Sequence, residues 1–330
     1  MEAVAAFPNM TPQRFAGDVQ PLARPAVMPG LAASWPLVKL GRQGVIPLCR
    51  HLDGRANATP VEVWRGRGAD YGYSDDLTGF DFVRERMRFA ELLDLLVAAQ
   101  EKPAAIYAGA IPVPQVLPRL MAEVPMPLLA DGAARLTSLW IGTASRTAAH
   151  WDLAQNIAVC VAGTRTYTLF PPEQVENLYV GPLDHTLAGQ PVSLVDVTKP
   201  DLARFPRFAD ALAVAQRVTL RPGDALYLPS LWWHHVETPA PFGAQVNFWW
   251  RDAPADAMTP LLTLFHGLLT LRDLPVAERR AWRAFFDHYL FEAEVPEHIP
   301  EGARGVLGAM TGERRRELAR VIAQSLVRDA

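Results

Sequence analysis

The chain has 330 residues, 50% hydrophobic and 20% charged, which is ample apolar material for a large buried core. Its 32 basic and 35 acidic residues leave a formal net charge of -3, excluding a broad basic field that would gather nucleic acid or an anionic membrane. Two cysteines, Cys49 and Cys160, are too few for a disulfide framework or a thiolate metal cage. The N-terminal MEAVAAFPNM lacks the basic start and apolar run of a signal peptide. No uncharged stretch approaches the roughly 20 residues of a spanning helix, so a cytoplasmic protein is expected.

Three zones follow one another. In residues 1–103, a mixed α/β extension, PLARPAVMPGLAASWP reads as a strand closed by Pro29-Gly30 and followed by a Trp35-Pro36 loop. Phe89, Leu92, Leu93 and Leu96 recur at helical spacing, so FAELLDLLVAAQ is predicted to be an amphipathic helix. Residues 104–256 carry short β-rich runs: AIYAG, RLTSLWIG, NIAVCV, TYTLF, RVTL, ALYLP and AQVNFWW. The turns Ala162-Gly163-Thr164 and Pro222-Gly223-Asp224 read as hairpin connections between them, and Asp224 as a turn residue. Many short strands broken by Gly and Pro predict a mostly β fold, a sandwich or jelly roll with flanking helices. Residues 257–330 look helical, with Trp282, Phe285, Phe286 and Tyr289 on one face and Leu318, Val321 and Ile322 on another.

The sharpest chemical signal is His150-Trp151-Asp152. If it lies within a strand, residues i and i+2 share a face and both side chains reach one point. An imidazole and a carboxylate are two parts of the 2-His-1-carboxylate triad that binds iron(II) and leaves positions open. In a chain with eight histidines the pair alone says little. The context adds a third ligand: RPGDALYLPSLWWHHVE gives a turn, an apolar strand and then His234 and His235, while AQVNFWW is expected to pair back and form the opposite wall.

GTASRTAAHWDLAQNIAVCVAGTRTYTLFPPEQVENLYVGP, with LRPGDALYLPSLWWHHVE and QVNFWW after it, resembles the cupin-like JmjC oxygenases of the asparaginyl-hydroxylase type. The likeness is dense from about 136 to 251 and implies a double-stranded β-helix. It also implies an iron(II)- and 2-oxoglutarate-dependent enzyme using O₂, with His150, Asp152 and His234 matching the metal ligands. His235 should then point to the other face. Thr147, Asn156 and Asn247 match polar residues of the 2-oxoglutarate pocket, and Tyr107 matches a pocket tyrosine more loosely. Trp249, two residues after Asn247, helps wall the site, while Trp140, Trp232, Trp233 and Trp250 read as core.

One departure stands out. Where the family usually places a lysine against the distal carboxylate of 2-oxoglutarate, this chain has Arg165, longer and planar but able to grip a carboxylate with two hydrogen bonds. The resemblance implies hydroxylation of a protein side chain, or demethylation by the same hydroxylation, with succinate and CO₂ as coproducts. It also implies a homodimer formed through the C-terminal helices. A non-catalytic cupin-like protein holding a metal or small molecule, and a small-molecule hydroxylase, are the competing readings. The stretch from His185 to about Pro206 reads as a loop insertion of the kind that often holds substrate.

Overall fold

A computed structural model describes residues 1–129, 135–254, 256–292 and 296–328. The chain forms two compact units, Met1–Asp252 and Ala253–Ala330. At the centre of the first are eight strands: β1 (Arg135–Gly142), β2 (Ser145–His150), β3 (Gln155–Ala162), β4 (Arg165–Phe170), β5 (Gln216–Leu220), β6 (Ala225–Leu228), β7 (Trp233–Thr238) and β8 (Gly243–Trp250). One sheet runs β6-β3-β8-β1 and the other β5-β4-β7-β2, antiparallel throughout. Successive strands change sheet except β4 and β5, which are neighbours joined by the long 171–215 insertion. This is a jelly roll, the double-stranded β-helix.

The topology corrects two readings. The Ala162-Gly163-Thr164 and Pro222-Gly223-Asp224 turns are not hairpins, because β3 pairs with β6 and β8, and β5 pairs with β4. Each turn carries the chain from one sheet to the other. Gly163 has φ +71° and Gly223 φ +102°, so the sequence encodes a tight left-handed turn but not the partner of the strand that leaves it. Likewise β8 does not pair back onto β7; it lies in the opposite sheet between β3 and β1.

The N-terminal segment widens both sheets. Beyond β1 come the strands Ala105–Pro112, Pro60–Gly66 and Phe82–Arg88, and beyond β2 the short strand Asp70–Tyr71. The β1-containing sheet is covered outside by helices Pro36–Gln43, Val45–Asp53 and Phe89–Ala98. Their Leu37, Leu48, Leu52, Leu92 and Leu96 share a core cluster with Ile157, Val159, Val161 and Phe248. Alternate residues of β3, Ala158 and Cys160, face inward against Tyr167, Leu169, Leu226 and Leu228. Both faces of β3 are therefore dry, which is why NIAVCV is a continuous apolar run. The two cysteines are free and buried, and burial pushes both thiols up to about 12, marking them as packing residues rather than nucleophiles.

The second unit carries helices Pro260–Leu271, Val276–Phe286 and Gly312–Arg328. Among the described residues no helix is long and apolar enough to cross a membrane.

Candidate active site and metal centre

Between the two sheets lies a cavity that every residue matched to the site reaches: Tyr107, Thr147, His150, Asp152, Asn156, Arg165, His234, Asn247 and Trp249. His150 and His234 are direct cross-strand partners on β2 and β7. Asp152 is not on the strand, since β2 ends at His150. The i, i+2 argument is thus replaced by a loop that is held in place. The Asp152 carbonyl accepts from the Leu231 N–H at 2.9 Å, and Ser230 Oγ donates to the Leu153 carbonyl at 3.0 Å. These bonds stitch the turn after β2 to the turn before β7 and bring Asp152 Oδ2 to 3.7 Å from His234 Nε2.

The ligand atoms of His150, Asp152 and His234 all lie within 4.8 Å of one another. Each imidazole is oriented by its own strand: His150 Nδ1 sits 2.9 Å from the Ala148 carbonyl and His234 Nδ1 3.0 Å from the Trp232 carbonyl. A carbonyl can only accept, so Nδ1 carries a proton in both rings and Nε2 is the nitrogen left to face a metal. Burial, together with the neighbouring His150, holds His234 below the usual imidazole range, keeping it unprotonated near neutral pH.

Thr147 and His150 are three residues apart and on a regular strand would face opposite ways. Two residues of β2, Ala148 and Ala149, here oppose one of β7, His235, a bulge between the His234–His150 and Val236–Thr147 pairs. The extra residue turns both side chains to the cavity. His235 points away, into a separate cavity with Asp70, Arg146 and Asp196, and neither of its ring nitrogens makes a hydrogen bond. Burial lowers its pKa to about 4, while the nearby Thr147 carbonyl favours the protonated form.

Arg165 begins β4 and is 4% exposed, with Tyr167 and Leu169 following on the same inward face. Its Nε has no hydrogen-bond partner. Asn156 Oδ1 and Trp249 Nε1, on the facing sheet, are buried and unpartnered as well. Burial raises the Tyr107 hydroxyl above its ordinary value, opposed by the Arg165 charge and by a bond with Thr147. These are polar groups withdrawn from water and aimed into one space, an arrangement that stands at low cost only with a polar guest. Sequence reasoning missed Gln245 as a lining residue and read Trp140 as core; both line the cavity, as do Tyr167, Leu228 and Val236.

A jelly roll whose strands converge an imidazole pair and a carboxylate on one point defines a cupin-like protein of JmjC type. The chain belongs to the cupin-like domain family, whose model matches residues 12–256. Among its relatives, the Arabidopsis thaliana lysine-specific demethylase JMJ31 is 27% identical over 279 residues, 76% of this chain and 50% of that protein. The human bifunctional peptidase and (3S)-lysyl hydroxylase JMJD7 is 29% identical over 269 residues, 73% of this chain and 81% of its own length. The human tRNA wybutosine-synthesizing protein 5 is 32% identical over 107 residues, 32% of this chain and 31% of that protein. The match thus spans half the length of the Arabidopsis protein and under a third of the tRNA-modifying one.

Proposed function

We propose that the protein is an iron(II)- and 2-oxoglutarate-dependent oxygenase that hydroxylates a protein side chain, or demethylates one by hydroxylating its N-methyl carbon. The carrying observation is an imidazole pair and a carboxylate sharing one cavity with a buried, incompletely partnered guanidinium. Two nitrogens and one carboxylate oxygen suit iron(II) and leave other positions free. A divalent ion, Asp152 and Arg165 together carry two positive charges, which a dicarboxylate neutralises.

In this reading His150, Asp152 and His234 hold the metal, and their backbone bonds keep the rings aimed. Arg165 takes the distal carboxylate of 2-oxoglutarate, and Tyr107, Thr147, Asn156 and Asn247 supply further hydrogen bonds. Iron(II) bound there supplies the redox chemistry that couples O₂ and 2-oxoglutarate to a C–H bond, giving succinate, CO₂ and one hydroxyl. The open space is about 40 Å³, room for a few waters at the roughly 10–15 Å³ that each needs. Trp140 and Trp249, partly buried in the cavity wall and packed edge to face at 5.8 Å, should report cosubstrate binding by indole fluorescence.

A protein substrate is favoured by the two relatives that cover most of this chain, whose names specify action on lysine. The same reading puts a homodimer contact on the helical unit, where Leu262, Leu269, Trp282, Phe285, Leu290 and Phe291 are exposed. Light scattering on the full chain should give twice the monomer mass, and a monomer at micromolar concentration would refute the dimer. For the activity, peptide arrays incubated with enzyme, iron(II), 2-oxoglutarate and O₂ should yield a peptide heavier by one oxygen, or one lighter by CH₂ with formaldehyde released. No modified peptide, with no succinate formed, would overturn the reading.

A further inference from the structure

We propose that Tyr167 and Gln245 form a positioning relay that holds the Asn247 amide with its N–H group turned into the cavity, making that wall selective for an anionic oxygen. The inference rests on the oxygenase reading above and deepens it. The Tyr167 hydroxyl donates to Gln245 Oε1 at 2.5 Å, and Gln245 Nε2 donates to Asn247 Oδ1 at 2.6 Å. All three residues are buried, at 1%, 4% and 4% exposure, and all line the cavity.

The polarity of this chain follows from its first member. Burial raises the Tyr167 hydroxyl above its ordinary range, so it stays a neutral O–H. Its one hydrogen bond is to Gln245, and its charged neighbour Arg165 can only donate. Reversing the chain would leave the O–H buried without an acceptor, a loss larger than the net worth of an ordinary hydrogen bond. The Gln245 carbonyl must therefore face Tyr167, its amide nitrogen must face Asn247, and the Asn247 oxygen is taken. What Asn247 can offer a guest is N–H. Arg165, likewise a pure donor, lies on the facing sheet, so the two sides present donors to the same guest and favour a carboxylate over an amide or amine.

Both relay bonds are side chain to side chain; the Tyr167–Gln245 bond crosses from β4 to β8 and ties the charged wall to the amide wall, while the Gln245–Asn247 bond runs along β8. Tyr167 and Gln245 are positioning residues, acting on the ligand through Asn247.

The test is an anaerobic calorimetric titration of 2-oxoglutarate into manganese(II)-loaded wild type, Tyr167→Phe, Asn247→Ala and the double variant. Tyr167→Phe should weaken 2-oxoglutarate about fivefold to tenfold, the scale of one buried hydrogen bond, with manganese affinity unchanged. In the Asn247→Ala background the same change should have no further effect, since the relay then has nothing to orient. Gln245→Met, which keeps the volume and removes both bonds, should reproduce the loss if Tyr167→Phe folds poorly. Wild-type affinity in Tyr167→Phe, an equal loss in the Asn247→Ala background, or a parallel loss of manganese would overturn the relay alone. Failure of the loaded wild type to take 2-oxoglutarate would instead bring down the oxygenase reading, and the relay with it.

Discussion

The two sheets that wall the cavity contribute different chemistry. The sheet of β2, β4, β5 and β7 supplies Thr147, His150, Arg165 and His234, with Asp152 just past its β2 edge. The facing sheet supplies Asn156, Gln245, Asn247, Trp140 and Trp249, and the added strand Ala105–Pro112 brings Tyr107. The charged and imidazole groups thus stand on one wall, the amides and indoles on the other. On the first wall the two imidazoles are fixed by backbone bonds and a bulge within one sheet, where strand register sets their separation. Gln245 and Asn247 sit opposite, where side-chain hydrogen bonds set their polarity.

Breaking the charged wall should have the largest effect. His150→Ala, Asp152→Ala and His234→Ala should each strip most bound metal, as read by elemental analysis of the purified variants, because each removes one of three converging donors. His235→Ala should keep the metal, since His235 lies in the other cavity. The reverse result for the two neighbours would shift the ligand register by one residue.

Next comes Arg165→Ala, which should leave the metal in place and weaken 2-oxoglutarate by about 2–5 kcal/mol, the range for truncating one partner of a buried charge pair. Equal affinities in calorimetry would mean that another group anchors the distal carboxylate.

A smaller effect is expected where the second wall meets its N-terminal extension. Gly142 lies opposite Tyr107, and a Cβ there would come within 2.6 Å of the Ile106 carbonyl oxygen. Gly142→Ala should cost about 1–3 kcal/mol of unfolding free energy in denaturant melts and displace Tyr107. Unchanged stability would show that the added strand is free to shift. The mildest change is Arg165→Lys, which keeps the charge and loses the two-pronged grip; its affinity should fall between wild type and Arg165→Ala.

How much of this could be read beforehand differs between the walls too. The set His150, Asp152 and His234 was legible because residue type carries chemistry: few combinations other than HxD and a later His suit a metal. Their geometry was less so. The sequence pattern put Asp152 on a strand, whereas loop-to-loop bonds place it, and nothing local announces the bulge that turns Thr147 and His150 to one side. The turn glycines were legible from their left-handed backbone, but which sheet each strand joins depends on contacts far along the chain. Gln245 stayed hidden because a glutamine on a strand looks like any surface polar residue until its partners Tyr167 and Asn247 are known. Trp140 was read as core, since an indole carries the same apolar signal in a core as in the wall of a cavity.

The most direct test of the central claim is succinate formed from 2-oxoglutarate, measured with iron(II) and O₂ for wild type and Asp152→Ala. Slow turnover is expected even without the protein substrate, dependent on both iron and O₂, and absent in Asp152→Ala, whose metal site has lost its carboxylate. Succinate at equal rates in the two proteins, or none from wild type with any peptide supplied, would contradict the account.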